Sequence, residues 1–226
     1  MAASDTTPAA FDTTPTASDT TPAASHDAAL AALAALAVPP ASYLRTHSLP
    51  WDAVATSALV FAPSGRALVL QRAAADSLPG TWEPPGGAVD AAPETILQGC
   101  ARELREETGL AARRFARLVA RPPAFVTRAG RLVGRFVLEV EVEVDADADA
   151  DVGEPGVRLD PREHQDWLWV TADEVRRGEA RGRRRLVFAP GARAVLLRGF
   201  ALRDGGAGDA GDAGDAGAGD WQDEAA

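Results

Sequence analysis

Three glutamates, Glu103, Glu106 and Glu107, fall within the nine residues Arg102 to Leu110, RELREETGL. On a helix of 3.6 residues per turn Glu103 and Glu107 share a face, four apart, with Glu106 beside them at a spacing of three. Like charges so spaced repel and weaken a helix, so stability supplies no reason for them. A hard divalent cation does, because carboxylate oxygens are what Mg²⁺ or Mn²⁺ prefers and the ion cancels the repulsion. Read alone, such a face is also ordinary solvated surface. Its neighbours set it apart: the turn Trp82-Glu83-Pro84-Pro85-Gly86-Gly87, Glu94, and a helix stop at Thr108-Gly109, where glycine favours a left-handed cap.

The elements that must hold these groups can be read around them. A helix is expected from about Pro93 to Thr108, with proline in its first turn, Glu94 at its positive end, and Ile96, Leu97, Cys100, Ala101 and Leu104 as its buried stripe. Before it, the runs 53–62 and 67–72 flank Pro63-Ser64-Gly65 and predict a strand pair joined by a turn. Residues 73–81 read as a loop into the glycine turn, where two glycines let backbone approach an ion or a phosphate. Strands are predicted over 115–120, 124–127 and 132–144, the last with Val140, Val142 and Val144 alternating against Glu139, Glu141 and Glu143, hence one wet face at its far end. Thr171 and Glu174 form a capping box for a helix over 172–177, and 190–202 reads as a closing helix with Val195, Leu196 and Phe200 inward.

Residues 86–110 resemble the Nudix box, which runs Gly, five residues, Glu, seven residues, then Arg-Glu-apolar-x-Glu-Glu-x-Gly-apolar. Glu94 and everything from Arg102 to Leu110 fit that pattern; the departure is six residues, not five, between Gly87 and Glu94. The extra residue falls in the turn Asp90-Ala91-Ala92-Pro93, where insertion costs little, and leaves the helical acids in register. The segment 160–170, with Glu163 and His164 ahead of Trp167-Leu168-Trp169-Val170, resembles a second feature of many Nudix domains, an acidic loop overhanging the site. The resemblance covers roughly residues 50–203. It implies an α/β fold, the Nudix α/β/α sandwich with a mixed sheet. It also implies a hydrolase cutting the diphosphate of a nucleoside diphosphate linked to another moiety, such as a nucleotide sugar or an oxidised nucleotide. On that resemblance Gly86, Glu103, Glu106 and Glu107 would hold Mg²⁺ or Mn²⁺. Arg102 would hold the glutamates in place, and Glu106, Glu107 or Glu163 would take a proton from water. The rival reading is a Nudix-fold module that binds a nucleotide without cleaving it, which the complete set of acids disfavours. Isomer chemistry on isoprenoid diphosphates needs a cysteine at the site, and Cys100 on the inward stripe is poorly placed for it.

Composition bounds the rest. The chain's formal charge is −10, but residues 1–44 contribute −4 and residues 204–226 contribute −7, so the middle is close to neutral. That argues against unspecific nucleic-acid binding. All 23 basic residues are Arg, which excludes a Walker-type lysine and a lysine Schiff base. One cysteine excludes an internal disulfide and points to a reducing compartment. With no membrane-length apolar run and no basic leader, the expectation is a soluble cytoplasmic protein, with the nucleus also open, acting on a small-molecule nucleotide. Residues 1–26, with Asp-Thr-Thr-Pro repeated every seven, and 204–226, a Gly/Asp/Ala repeat, read as disordered tails around a short helix and connector (27–49) and the domain (50–203). The helix expected over 28–38 could pack on the core or help form a homodimer. The alternating aspartates of 145–155 lack the glycine and final Glu of an EF-hand loop. Arg181, Arg183, Arg184 and Arg185 could meet phosphates, act as a nuclear signal or line a solvated turn. Trp82, Phe125 and Trp167 are candidates for stacking a base or for the core.

Overall fold

The computed structural model describes residues 22–143 and 154–205. The elements run α1 Pro22–Ala35, α2 Pro40–Thr46, β1 Ala53–Val60, β2 Ala67–Arg72, β3 Trp82–Glu83, α3 Ile96–Thr108, β4 Ala112–Ala120, β5 Phe125–Val126, β6 Leu132–Val142, β7 His164–Val170, α4 Ala172–Arg177, β8 Glu179–Ala180, β9 Arg184–Arg185 and α5 Ala192–Arg203. β6 is the hub of the larger sheet: β1 runs parallel to it, and β4 and β5 pair with it antiparallel. A second, antiparallel sheet has the order β3-β2-β7. Helices cover both sides, which makes the mixed α/β/α sandwich that the resemblance implied.

The strands alternate between two apolar layers. Val54, Ala58 and Val60 of β1, and Phe136, Leu138 and Val140 of β6, join Leu36, Tyr43, Ile96, Cys100 and Leu104 in one. Leu59 and Val137 join Val175, Val195, Leu196 and Phe200 of α4 and α5 in the other. Because both faces are covered, β1 is buried from Val54 to Val60, Thr56 and Ser57 included.

Several sequence expectations shift, each for a physical reason. The strand pair 53–72 is no hairpin: β1 and β2 enter different sheets, joined across the turn only by the bridge Phe61↔Ala67. Helix α3 starts at Ile96, not Pro93, because Thr95 is its N-cap and forms a capping box with Gln98, which leaves Pro93 and Glu94 outside. The expected connector 41–50 contains α2, with Pro40 in the first turn, where its missing N–H costs nothing. The helix expected over 28–38 runs from Pro22 to Ala35 and so begins inside the segment read as tail; Leu33 and Leu36 at its end are buried. Carbonyls of Leu36 and Val38 accept from Leu97 and Ile96, satisfying the first turn of α3. At the far end of β6 Glu139 is buried, not wet, because Arg117 at 2.9 Å and Arg203 at 2.6 Å pair with it. The expectations for 1–21, for the Asp-rich stretch 144–153 and for the repeat 206–226 lie outside the described residues. Among the described residues no single helix is long and apolar enough to cross a membrane.

Candidate active site

The site is assembled where α3 passes beneath the glycine turn. Segment 85–89 lies against the free edge of β1, with Ala58 N–H donating to Pro85 at 2.8 Å, Thr56 N–H to Gly87 at 2.9 Å and Val89 N–H to Val54 at 2.9 Å. Gly86 has φ 152° there, and a Cβ would strike the Thr56 carbonyl; at Gly87 a Cβ would come within 2.6 Å of the Glu103 carboxylate. Only glycine lets the turn sit this close to both strand and helix. The Gly86 N–H donates to Glu107 Oε2 at 2.7 Å, so turn and helix are tied at the acid itself.

Arg102 organises the outer acids. Its guanidinium donates to Glu94 at 2.9 Å, Glu103 at 2.8 Å, Glu106 at 3.0 Å and the Ala88 carbonyl at 3.0 Å. The Glu94 hydrogen bond leads in raising the pKa of Arg102, so the charge is permanent. The extra residue before Glu94 is absorbed by the turn, which Glu94 closes by accepting from the Asp90 N–H at 2.9 Å. The spacing departure therefore leaves the Arg102–Glu94 contact intact.

The inner group is different. Ligand atoms of Glu107, Glu163 and His164 lie within 4.8 Å of one another. Loop 154–163 brings the last two in by crossing the end of α3, with Arg158 N–H on Thr108 at 2.8 Å and Asp160 N–H on Glu107 at 3.4 Å. The Ala73 N–H holds the Glu163 carbonyl at 2.8 Å. Buried His164 has Nδ1 3.9 Å from Glu107 and Nε2 3.9 Å from Glu83, and neither nitrogen has a hydrogen-bond partner. Burial, with the charges of Glu83, Glu103 and Glu163, pushes the Glu107 carboxyl up to about 9 against the Gly86 hydrogen bond. Burial also raises Glu103, in spite of Arg102. Glu83 goes the other way: burial opposes its ionisation, but His164 and an ion pair with Arg72 outweigh it and keep the carboxylate charged.

The residues singled out from sequence thus divide. Glu107, Glu163 and the Gly86 backbone come together, and Glu103 adjoins them under Gly87. Glu106 sits exposed on the outer side, held by Arg102, outside the three-residue cluster. Cys100 is fully buried, its thiol pushed up to about 12 by burial, as expected of core filler. Trp82 is core, Trp167 is half-buried, and Phe125 is exposed beside a cavity. Of the arginine cluster, Arg184 packs 4.8 Å over the Trp82 ring and pairs with Asp166 at 2.6 Å. Sequence reading missed Glu83, Arg72 and Arg135. For Glu83 a signal existed: it is a lone charge between Trp82 and Pro84 in a stretch otherwise built for the core.

The orphaned His164 nitrogens and a buried carboxylate facing other acids are the observations that test a cation here. They fit one, since a divalent ion would supply the charge and ligand vacancies this wall lacks. The NUDIX domain model matches residues 51–189, the span that carries all these groups. The chain belongs to the NUDIX family. Its complete acidic helix, glycine turn and Arg102 make it a pyrophosphohydrolase of that family, acting on acid anhydrides. Solved structures share the fold. The E. coli ORF135 protein is 25% identical with a TM-score of 0.50, over 70% of this chain and 94% of that one. The MutT protein of Methanosarcina mazei Go1 is 24% identical with a TM-score of 0.49, over 67% and 94%. A C. elegans Ap4A hydrolase is 18% identical with a TM-score of 0.47, over 68% and 98%. No curated protein matches the sequence of this NUDIX chain.

Proposed function

We propose that this NUDIX domain is a Mg²⁺- or Mn²⁺-dependent hydrolase of a nucleoside diphosphate linked to another moiety, working on small-molecule substrates in the cytoplasm. The observation that carries the reading is the convergence of Glu107, Glu163 and His164 beside Gly86, with a buried carboxylate that no arginine neutralises. Glu107 and Glu163, with Glu103 and the Gly86 backbone adjoining, would hold the ion, and Glu106 could join them by leaving Arg102. Such an ion, when bound, offsets charge on the diphosphate and lowers the pKa of water. The chain's own groups do the rest. Glu163, the exposed member of the cluster, is the carboxylate open to a water and able to accept its proton as that water meets phosphorus. Glu107 is fixed by the Gly86 N–H and by burial, which suits an orienting ligand better than a mobile base. Arg102 pins Glu103 and Glu94 so that the glycine turn and helix keep their spacing. His164, packed between Glu83 and Glu107, sets the position of the loop that carries Glu163.

The test is a screen of nucleoside diphosphate derivatives with Mg²⁺ or Mn²⁺, read by which bond breaks. Glu107→Gln should lose turnover while still binding nucleotide. A wild-type chain that binds nucleotide and releases no product with either ion would make it the non-cleaving module instead.

A further inference from the structure

A cavity of about 570 Å³ opens beside the acids, within the range of small-molecule sites. Glu83 belongs to both: it lines the cavity and lies 3.9 Å from His164, which reaches Glu107 on its other side. The walls are mostly apolar, and one feature does not belong in them. Arg135 sits on the face of β6 that it shares with Val137, where the alternation calls for an apolar core residue. Its Nε is buried without a partner, and among the described residues no carboxylate lies within 4 Å of its guanidinium. Its guanidinium lies over the ring of Phe125, 5.0 Å from Cζ to the ring centre. The carboxylate whose field reaches it, Glu83, is already paired with Arg72. The ring face offsets part of the charge of this half-buried arginine, but the enclosed Nε is left without an acceptor, which is costly to a fold.

The donor surplus continues around the wall. Arg72, paired with Asp76 and Glu83, still has a buried Nε without a partner, and Gly191, which caps α5 with no side chain bonded to the helix end, adds the positive end of a twelve-residue helix. Among the described residues the one carboxylate in the lining, Glu83, is already engaged by Arg72. The lining therefore suits a flat, largely apolar ligand with acceptor atoms on its edge. A phosphate, charged and strongly hydrated, is disfavoured by the apolar walls and by Glu83.

We infer that this cavity takes the base of the nucleotide and that Arg135 is a specificity-determining residue, donating to a ring carbonyl of an oxo-substituted base set against Phe125. The inference rests on the nucleotide hydrolase reading above for its ligand class. It names guanine- and uracil-type bases over adenine, which offers no carbonyl.

Binding and turnover separate the two readings. Calorimetry with GMP, UMP and AMP on the full chain should show at least about tenfold tighter binding of GMP or UMP than of AMP, the scale of one satisfied buried donor. In Arg135→Leu that ratio should fall to within about twofold. The same ratios should appear in kcat/KM for guanosine-, uridine- and adenosine-diphosphate compounds sharing one second moiety, with Mn²⁺ present. Equal binding of the three monophosphates by the wild type overturns the inference, and so does an Arg135→Leu loss that is equal for all of them, which would put a phosphate on Arg135. If the base preference is found and no compound is hydrolysed, the hydrolase reading fails and this inference stands. Phe125→Ala, at an exposed position, is the second variant should Arg135→Leu not fold. It should weaken GMP binding several-fold, and unchanged binding counts against the cavity as the base site.

Discussion

On the outer side of α3, Arg102 gathers Glu94, Glu103 and Glu106 within 3.0 Å; on the inner side, Glu107 faces Glu83, Glu163 and His164, and among the described residues no guanidinium lies within 4 Å of Glu107 itself. The two groups meet on neighbouring turns of α3, which supplies Glu103 and Glu106 to one and Glu107 to the other. What separates them is the source of their counter-charge. The outer acids carry their cation in the sequence, eight residues from Glu94 and next to Glu103. Buried Glu107 has none: Glu83 beside it is held by Arg72, and among the described residues no arginine pairs with Glu107 itself. On the proposed reading that contrast says where an ion would go: not to the densest acidic patch of the helix, but to the acid that no arginine has already neutralised.

The comparison can be broken most directly by swapping acids. Glu107→Gln should lower kcat by roughly 10²–10⁴-fold, with Tm at neutral pH unchanged or raised because the fold no longer has to hold a proton on a buried carboxyl. Glu106→Gln should cost clearly less. Equal losses in steady-state kinetics would erase the distinction between inner and outer groups.

Acidity gives the next effect. Glu107 titrates near an ordinary 4.5 when unfolded and at about 9 in the ion-free fold, so between those values the folded chain holds an extra proton. Stability of the ion-free protein should therefore fall as pH rises through that window, by up to about 1.4 kcal/mol per unit. A divalent ion needs the carboxylate, so Mn²⁺ should bind up to about tenfold tighter per pH unit until pH nears 9. Titration calorimetry at pH 6, 7 and 8, after stripping with a chelator, measures this; a flat affinity would mean that Glu107 is not displaced by metal.

Removing the outer cation sharpens the contrast from the other side. Arg102→Ala should cost about 1–3 kcal/mol in chemical denaturation, since it leaves Glu94 and Glu103 facing each other, and should reduce kcat/KM about tenfold through the loosened turn. If the loss of activity matched that of Glu107→Gln, Arg102 would have to touch substrate. The smallest effect belongs to the frame that both groups share. Thr95→Ala removes the capping box of α3 and should cost about 1 kcal/mol, with specific activity of the folded enzyme unchanged.

The acids of α3, their order and the stop at Gly109 were legible in the chain because helix periodicity is local: spacing alone fixes which residues share a face. The same holds for Thr171 with Glu174 and for the inward Val195, Leu196 and Phe200, which the structure places as the pattern implies. Capping chemistry at Thr95 was equally local, and it outweighed proline as the marker of where α3 starts. Spacing could not show that β1 and β2 part into two sheets, because two apolar runs across a turn read the same whether or not they pair. Nor could it show that Glu106 is already neutralised while Glu107 is not, or that Glu83 and Arg135 face a common cavity. Glu107 meets a turn 21 residues away and His164 from another strand, and burial, which sets charge state and cost, arises only when distant strands close over such groups. By itself, then, the sequence determined the helix, its acids and the family. Which acid lacks a counter-ion, and which arginine lacks a partner, was decided only by tertiary packing, because electrostatic need depends on what else has been brought near.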